Sequence, residues 1–174
     1  MTDLPNKRYE SQTLQNKVYN QKEVFDSTKF MVELMKQYED VKDTHYDYIN
    51  QNITFIDTKT NKGYIAKSTF KLNVKDEMKD KDGCLLREVI TEIIEAIPTR
   101  VSEGVDYATK VNISVSIEFI SRVCVKDFVM IQGKVFKLLD NNGIGDAILY
   151  DPYTNQVIAK CQCVFVTNEM SYKL

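Results

Sequence analysis

The chain of 174 residues holds one histidine, His45, and only six glycines. A single histidine excludes a multi-histidine zinc site. The glycines make neither G-x-G-x-x-G nor G-x-x-x-x-G-K-[ST], so the glycine-rich phosphate loops are excluded too. Four cysteines, at 84, 124, 161 and 163, contain no C-x-x-C and have no second histidine to complete a metal set. They read as free thiols, mostly buried, of a kind suited to a reducing compartment. No apolar run approaches 18 residues, and no membrane-spanning helix is expected. The first 20 residues lack the apolar stretch of a secretion signal. Their Asp3 and Glu10, beside one arginine, make a poor transit peptide. With no secretion expected, the sequons at Asn52 and Asn112 carry little weight. A basic excess is missing as well. Twenty-three Lys and Arg stand against 25 Asp and Glu, for a net charge of −2, which argues against a nucleic-acid partner.

What is present is globular: 43% apolar and 28% charged residues. A chain of this size buries roughly 70% of its unfolded surface and makes one domain, with or without an arm. The polarity pattern divides it into an irregular arm at 1–21, an amphipathic helical segment within 22–50 and a main domain at 51–170. Val24, Thr28, Met31, Met35, Tyr38, Val41 and His45 fall at helical spacing, with Phe25 and Leu34 beside them. Lys and Glu/Asp mix on the polar face, which favours docking on protein over lipid. His45, at the end of this stripe, reads as a helix-terminal polar residue.

The period then changes to two. Residues 53–57 form a short strand, 58–63 a hairpin loop in which Gly63 supplies a positive φ, and 64–74 a longer strand. Residues 84–97 read as a helix apolar around most of its circumference, through Leu85, Leu86, Val89, Ile90, Ile93, Ile94, Ala96 and Ile97. Pro98 is expected to end it. Val111, Ile113, Val115, Ile117 and Phe119 alternate with polar neighbours. Residues 129–139 make a long strand whose phase slips near Gly133, suggesting a bulge there. Turns at 141–143 and 151–155 lead into strands at 144–150 and 156–166. Consecutive hairpins with one helix among them mean an α+β fold.

Antiparallel strands around one apolar helix resemble the hotdog fold, and particular residues carry the resemblance further. The run Val111–Val129 resembles the hotdog acyl-CoA thioesterase strand that enters an F-x-x-P-x-x-x-G-D turn. Phe119 and Asp127 match that turn, whereas Arg122 stands at the Pro position and Lys126 at the Gly position. Residues 154–160 resemble the closing (T/D)-G-K-L-(I/V)-A-x-G strand, with Cys161 at the last glycine. The similarity spans about residues 22–168 and is nearest the PaaI-like and thioesterase superfamily member type.

Such thioesterases carry N-x-x-G-x-x-H-G-G at the start of the central helix and an acid about two turns later. Backbone N–H groups at the helix N-terminus face the thioester oxygen, which becomes an oxyanion, and the carboxylate activates water or attacks the carbonyl. The resemblance puts Asp80 at the Asn, Gly83 at the Gly, Leu86 at the His, Arg87 and Glu88 at the Gly pair, and Glu95 at the acid. The acid is retained and His-Gly-Gly is not. Glu88 moreover brings a carboxylate near developing negative charge. Glu88, Glu92 and Glu95, at i, i+4 and i+7, repel one another unless a cation answers them. The resemblance implies that a second subunit meets this face.

The function expected is that of a degenerate hotdog protein, catalytically inactive, serving as a structural or assembly subunit of a larger complex. It would pair edge to edge as a homodimer or with a different hotdog protomer. The alternative is an active acyl-CoA thioesterase using Glu95 as general base or nucleophile, and a third reading is a coenzyme A or acyl-chain binder without turnover. No cofactor is expected beyond a coenzyme A thioester as ligand. The location expected is intracellular, with mitochondria favoured over cytosol.

Overall fold

The structure, a computed structural model, describes residues 20–37, 50–61, 63–106, 108–139 and 142–167. The arm at 1–19 and the outer part of the amphipathic segment, with Tyr38, Val41 and His45, lie outside the described residues, as do the side chains of Met31, Leu34 and Met35. The elements in order are α1 (Gln21–Gln37), β1 (Ile53–Asn61), β2 (Tyr64–Asn73), α2 (Arg87–Asp106), β3 (Lys110–Phe119), β4 (Phe128–Leu139), β5 (Asn142–Tyr150) and β6 (Val157–Thr167). The six strands form one antiparallel sheet in the order β1-β2-β4-β5-β6-β3. The apolar helix α2 packs against β2 through β6. The sheet wraps a central helix, as the hotdog resemblance implies.

Why α2 can lie so close is visible at Gly133. A Cβ there would collide with Ile97 Cγ2 and approach Val101 Cγ2 to 3.0 Å. Gly133 is in regular register, opposite Ser68 on one side and Ala147 on the other. The expected bulge is therefore not there; β4 slips three residues later, between Val135 and Lys137. A glycine in a strand can mark a bulge or the close approach of another element, and here it marks the second.

Pro98 does not end the helix. It lies inside α2, which continues to Asp106. Proline inside a helix costs about 3 kcal/mol. Every residue from Thr99 to Val105 is buried, including Val101 and Val105. Full burial of such side chains stabilises by about 1.5–3 kcal/mol each, so tertiary packing outweighs the local penalty.

Toward its C-terminus α2 also receives α1. Asn20 caps α1, its Oδ1 accepting from the Lys22 N–H at 2.9 Å. Val24, Thr28 and Val32 are buried, and the Phe25 ring meets Phe55 at a tilt, 5.0 Å between centroids, and Phe55 meets Phe70 at 5.8 Å. The crossing with α2 is tight because Gly104 has no side chain; a Cβ there would stand 2.8 Å from Thr28 Cα.

Two local expectations also change. β1 runs on to Asn61, and the N–H of Gly63 donates to Asn61 Oδ1 at 3.1 Å. On β3 the alternation is broken between Asn112 and Ser114, leaving Ile113 unpaired. Val115 and Ile117 pack on the core, whereas Val111 and Ile113 are 47% and 61% exposed on the opposite face. The start of β3 is pinned by buried Lys110, whose Nζ meets Asp106 Oδ2 at 2.5 Å and Thr167 Oγ1 at 2.9 Å.

The α1–α2 crossing is testable. Gly104→Ala should destabilise the fold by about 1–3 kcal/mol, read as a lowered denaturation midpoint, because the new Cβ would meet the Thr28 Cα as well as its side chain and α1 must shift as a whole.

Candidate functional site

A cavity of about 430 Å³ opens at the N-terminus of α2, within the roughly 300–1,000 Å³ range of small-molecule sites. One wall is Asp80 with residues 85–88 and Ile90; the other is residues 119–123, with Ile158 between them. The local chain explains its shape. Gly83, at φ +79°, turns the segment before α2, and Asp80 Oδ1 accepts from the N–H groups of Asp82 and Cys84. Leu86 then donates its N–H to Met78 O at 2.9 Å, and its own carbonyl receives Ile90 N–H to start the helix. The N–H groups of the first turn, at Arg87, Glu88 and Val89, are those a helix leaves without internal acceptors.

Of the site residues expected from sequence, Asp80, Leu86, Arg87 and Glu88 line this cavity, and Gly83 shapes the turn behind it. Arg87 lies over the Phe119 ring at 5.0 Å. Glu88 is exposed in the first turn of the helix. Glu95 is not among the lining residues. It is half-buried farther along α2, where Asn112 Nδ2 on β3 donates to its carbonyl at 3.3 Å and reaches Oε1 at 3.5 Å. Glu92 is likewise half-buried, so the acidic row runs from solvent at Glu88 to partial shelter at Glu95.

Arg122 was legible in the sequence only as a departure from the F-x-x-P turn. In the fold its Nη2 donates to Asp80 Oδ2 at 2.8 Å and Asp82 Oδ2 at 2.5 Å, joining the two walls. The hydrogen bond from Arg122 holds the Asp80 carboxyl below its ordinary range, helped by the Cys84 N–H. The two carboxylates in turn raise the Arg122 guanidinium. Asp127, which matches the turn, receives Tyr153 OH at 3.3 Å and, on its carbonyl, the Val74 N–H. Cys161 and Cys163 are buried on β6, and burial pushes their thiols up to about 11 and about 12. They stay protonated and are not nucleophiles. Among the described residues no group of His, Cys, Asp or Glu could hold a metal ion. No described helix is long and apolar enough to cross a membrane.

Solved structures share this architecture. Thioesterase superfamily member 2 of zebrafish superposes with a TM-score of 0.67 at 12% identity, over 83% of this chain and 98% of that one. The PaaI protein of E. coli gives 0.61 at 10% identity, over 81% and 96%. A hypothetical thioesterase of Streptococcus pneumoniae, solved with coenzyme A, gives 0.58 at 11%, over 68% and 87%. No protein-family model matches the sequence, and no curated protein does. The chain has the hotdog fold seen in these thioesterase superfamily structures, with a helix, α1, before the first strand.

The ion cluster predicts a pH dependence. A carboxyl held below its unfolded pKa of about 3.9 contributes stability above that pH and loses it as pH falls through the folded value. Asp80→Asn should therefore lower the melting temperature at pH 7, and the gap to the native chain should close below about pH 4. A gap that persists at pH 2 would exclude the charge as its source.

Proposed function

We propose that this hotdog protein does not turn over thioesters and serves as a structural subunit, pairing through β3 with a second hotdog protomer in a larger assembly. The observation that carries the reading is what fills the N-terminus of α2. Leu86, Arg87 and Glu88 carry full side chains where His-Gly-Gly would leave backbone open to a thioester oxygen. Glu88 already answers the positive end of the helix, and its charge opposes an oxyanion there. Asp80 is engaged by Arg122. Glu95, the one retained catalytic position, lies outside the cavity lining.

Pairing is supported by β3, an edge strand of the sheet with Val111 and Ile113 exposed. An uncovered edge with apolar side chains calls for a partner. Fatty acyl-CoA incubated with the purified protein should release coenzyme A no faster than in buffer, and Glu95→Ala should change nothing. Native mass measurement should find at least two protomers per particle, of this chain alone or with an unlike one; a monomer would end the pairing.

One observation favours the second reading, an active acyl-CoA thioesterase. Asn112 on β3 holds Glu95 on α2 by hydrogen bonds to its carbonyl and carboxylate, where a partner could complete a site. The bound coenzyme A of the S. pneumoniae protein, together with a cavity of suitable size here, is consistent with a coenzyme A thioester as ligand in either reading. Hydrolysis that drops 100-fold or more in Glu95→Ala would establish the second reading in place of the first.

A further inference from the structure

Two cysteines that neither reading uses meet next in sequence to the cavity-lining residues Leu85 and Val123. Cys84 lies just before α2 and Cys124 in the segment after β3. Their backbones form an isolated antiparallel bridge. Residues so opposed have Cα atoms about 4.5–5.5 Å apart, inside the span of about 4.4–6.8 Å that a disulfide tolerates. The side chains agree with the backbone. The two Sγ atoms are 2.8 Å apart and both thiols are free. That separation is less than 1 Å longer than a disulfide bond of about 2.05 Å.

The two environments differ in a way that gives each sulfur a role. Cys84 is 2% exposed, whereas Cys124 faces solvent. The hydrogen bond to Cys124, and then burial, push the Cys84 thiol up to about 11. Cys84 thus keeps its proton, and Cys124 is the sulfur a reagent meets. The segments that carry them are already held together elsewhere, by Arg122 on Asp80 and Asp82 and by Val125 N–H donating to Gly83 O at 3.2 Å.

We propose that Cys84 and Cys124 form a reversible disulfide that fastens the segment before α2 to the segment after β3. The oxidant is a low-molecular-weight disulfide. Cys124, as thiolate, attacks one of its sulfurs; the small S–S bond breaks, and the departing thiolate takes up a proton equivalent to the one Cys124 gave up. Cys84 then attacks the Cys124 sulfur of the mixed disulfide, and the second small thiol leaves with the Cys84 proton. Two protein thiols are oxidised and one small disulfide is reduced to two thiols. The new bond closes a loop of roughly forty residues and removes conformations from the unfolded chain.

The test uses the full chain and glutathione disulfide. After non-reducing digestion, mass spectrometry should find the Cys84 and Cys124 peptides joined, with two hydrogens lost. The melting temperature should rise by roughly 5–10 °C. Dithiothreitol should reverse both changes and Cys124→Ser should abolish them, while a Cys161→Ser/Cys163→Ser variant should retain them. A bridge to Cys161 or Cys163, a reaction that stops at a glutathione adduct on Cys124, or a joined peptide without a rise in melting temperature would each overturn the proposal.

Discussion

The contact on which the rest of this structure depends is that of Ile97 and Val101 with the bare backbone of Gly133. It sets how near the central helix lies to the sheet. Because that distance is short, the strands on either side of β4 also reach α2, and residues beyond Pro98 fall into buried positions instead of solvent. The burial gained there carries the helix through a proline that alone would stop it. About two turns further along the same helix Gly104 meets Thr28, so one element is gripped at two points by backbone-close packing. α1 is thereby part of the core, joined to it by the aromatic run Phe25, Phe55 and Phe70.

The cavity shows how two departures from a family pattern can form one new interaction. Asp80 stands where the thioesterase motif has asparagine, and Arg122 stands where the turn has proline. Separated by more than forty residues in sequence, they meet at 2.8 Å. Each taken alone looks like decay of a motif. Together with Asp82 they tie the two walls. The acid position at Glu95 is left with a different neighbour, Asn112, on a strand the motif does not include.

Periodicity was sufficient to read the strand order along the chain and the apolar helix, because each follows from which side chains face inward. The hotdog resemblance added the wrapping of sheet around helix. What stayed hidden were events decided by tertiary contact. Pro98 signals a stop locally, and only the buried run after it says otherwise. Gly133 signals a bulge locally, and only Ile97 opposite it shows why glycine is needed. The unbroken apolar alternation of β3 conceals an unpaired Ile113. In the site, Asp80, Leu86, Arg87 and Glu88 were placed together by motif spacing. The Arg122 cluster and the Cys84–Cys124 bridge were not legible, because they join segments whose separation carries no sequence signal.

The slip at Ile113 gives the edge of the sheet a polarity along its length. Between Val115 and Phe119 the strand follows the regular pleat and turns alternate side chains toward the helix. Beyond the slip, Val111 and Ile113 point the other way. A straight strand laid against this edge could stay in step with only one of the two halves. The irregularity therefore acts as a stop on lateral growth: it admits a short, defined joint and resists the open-ended stacking to which a long uniform edge is prone.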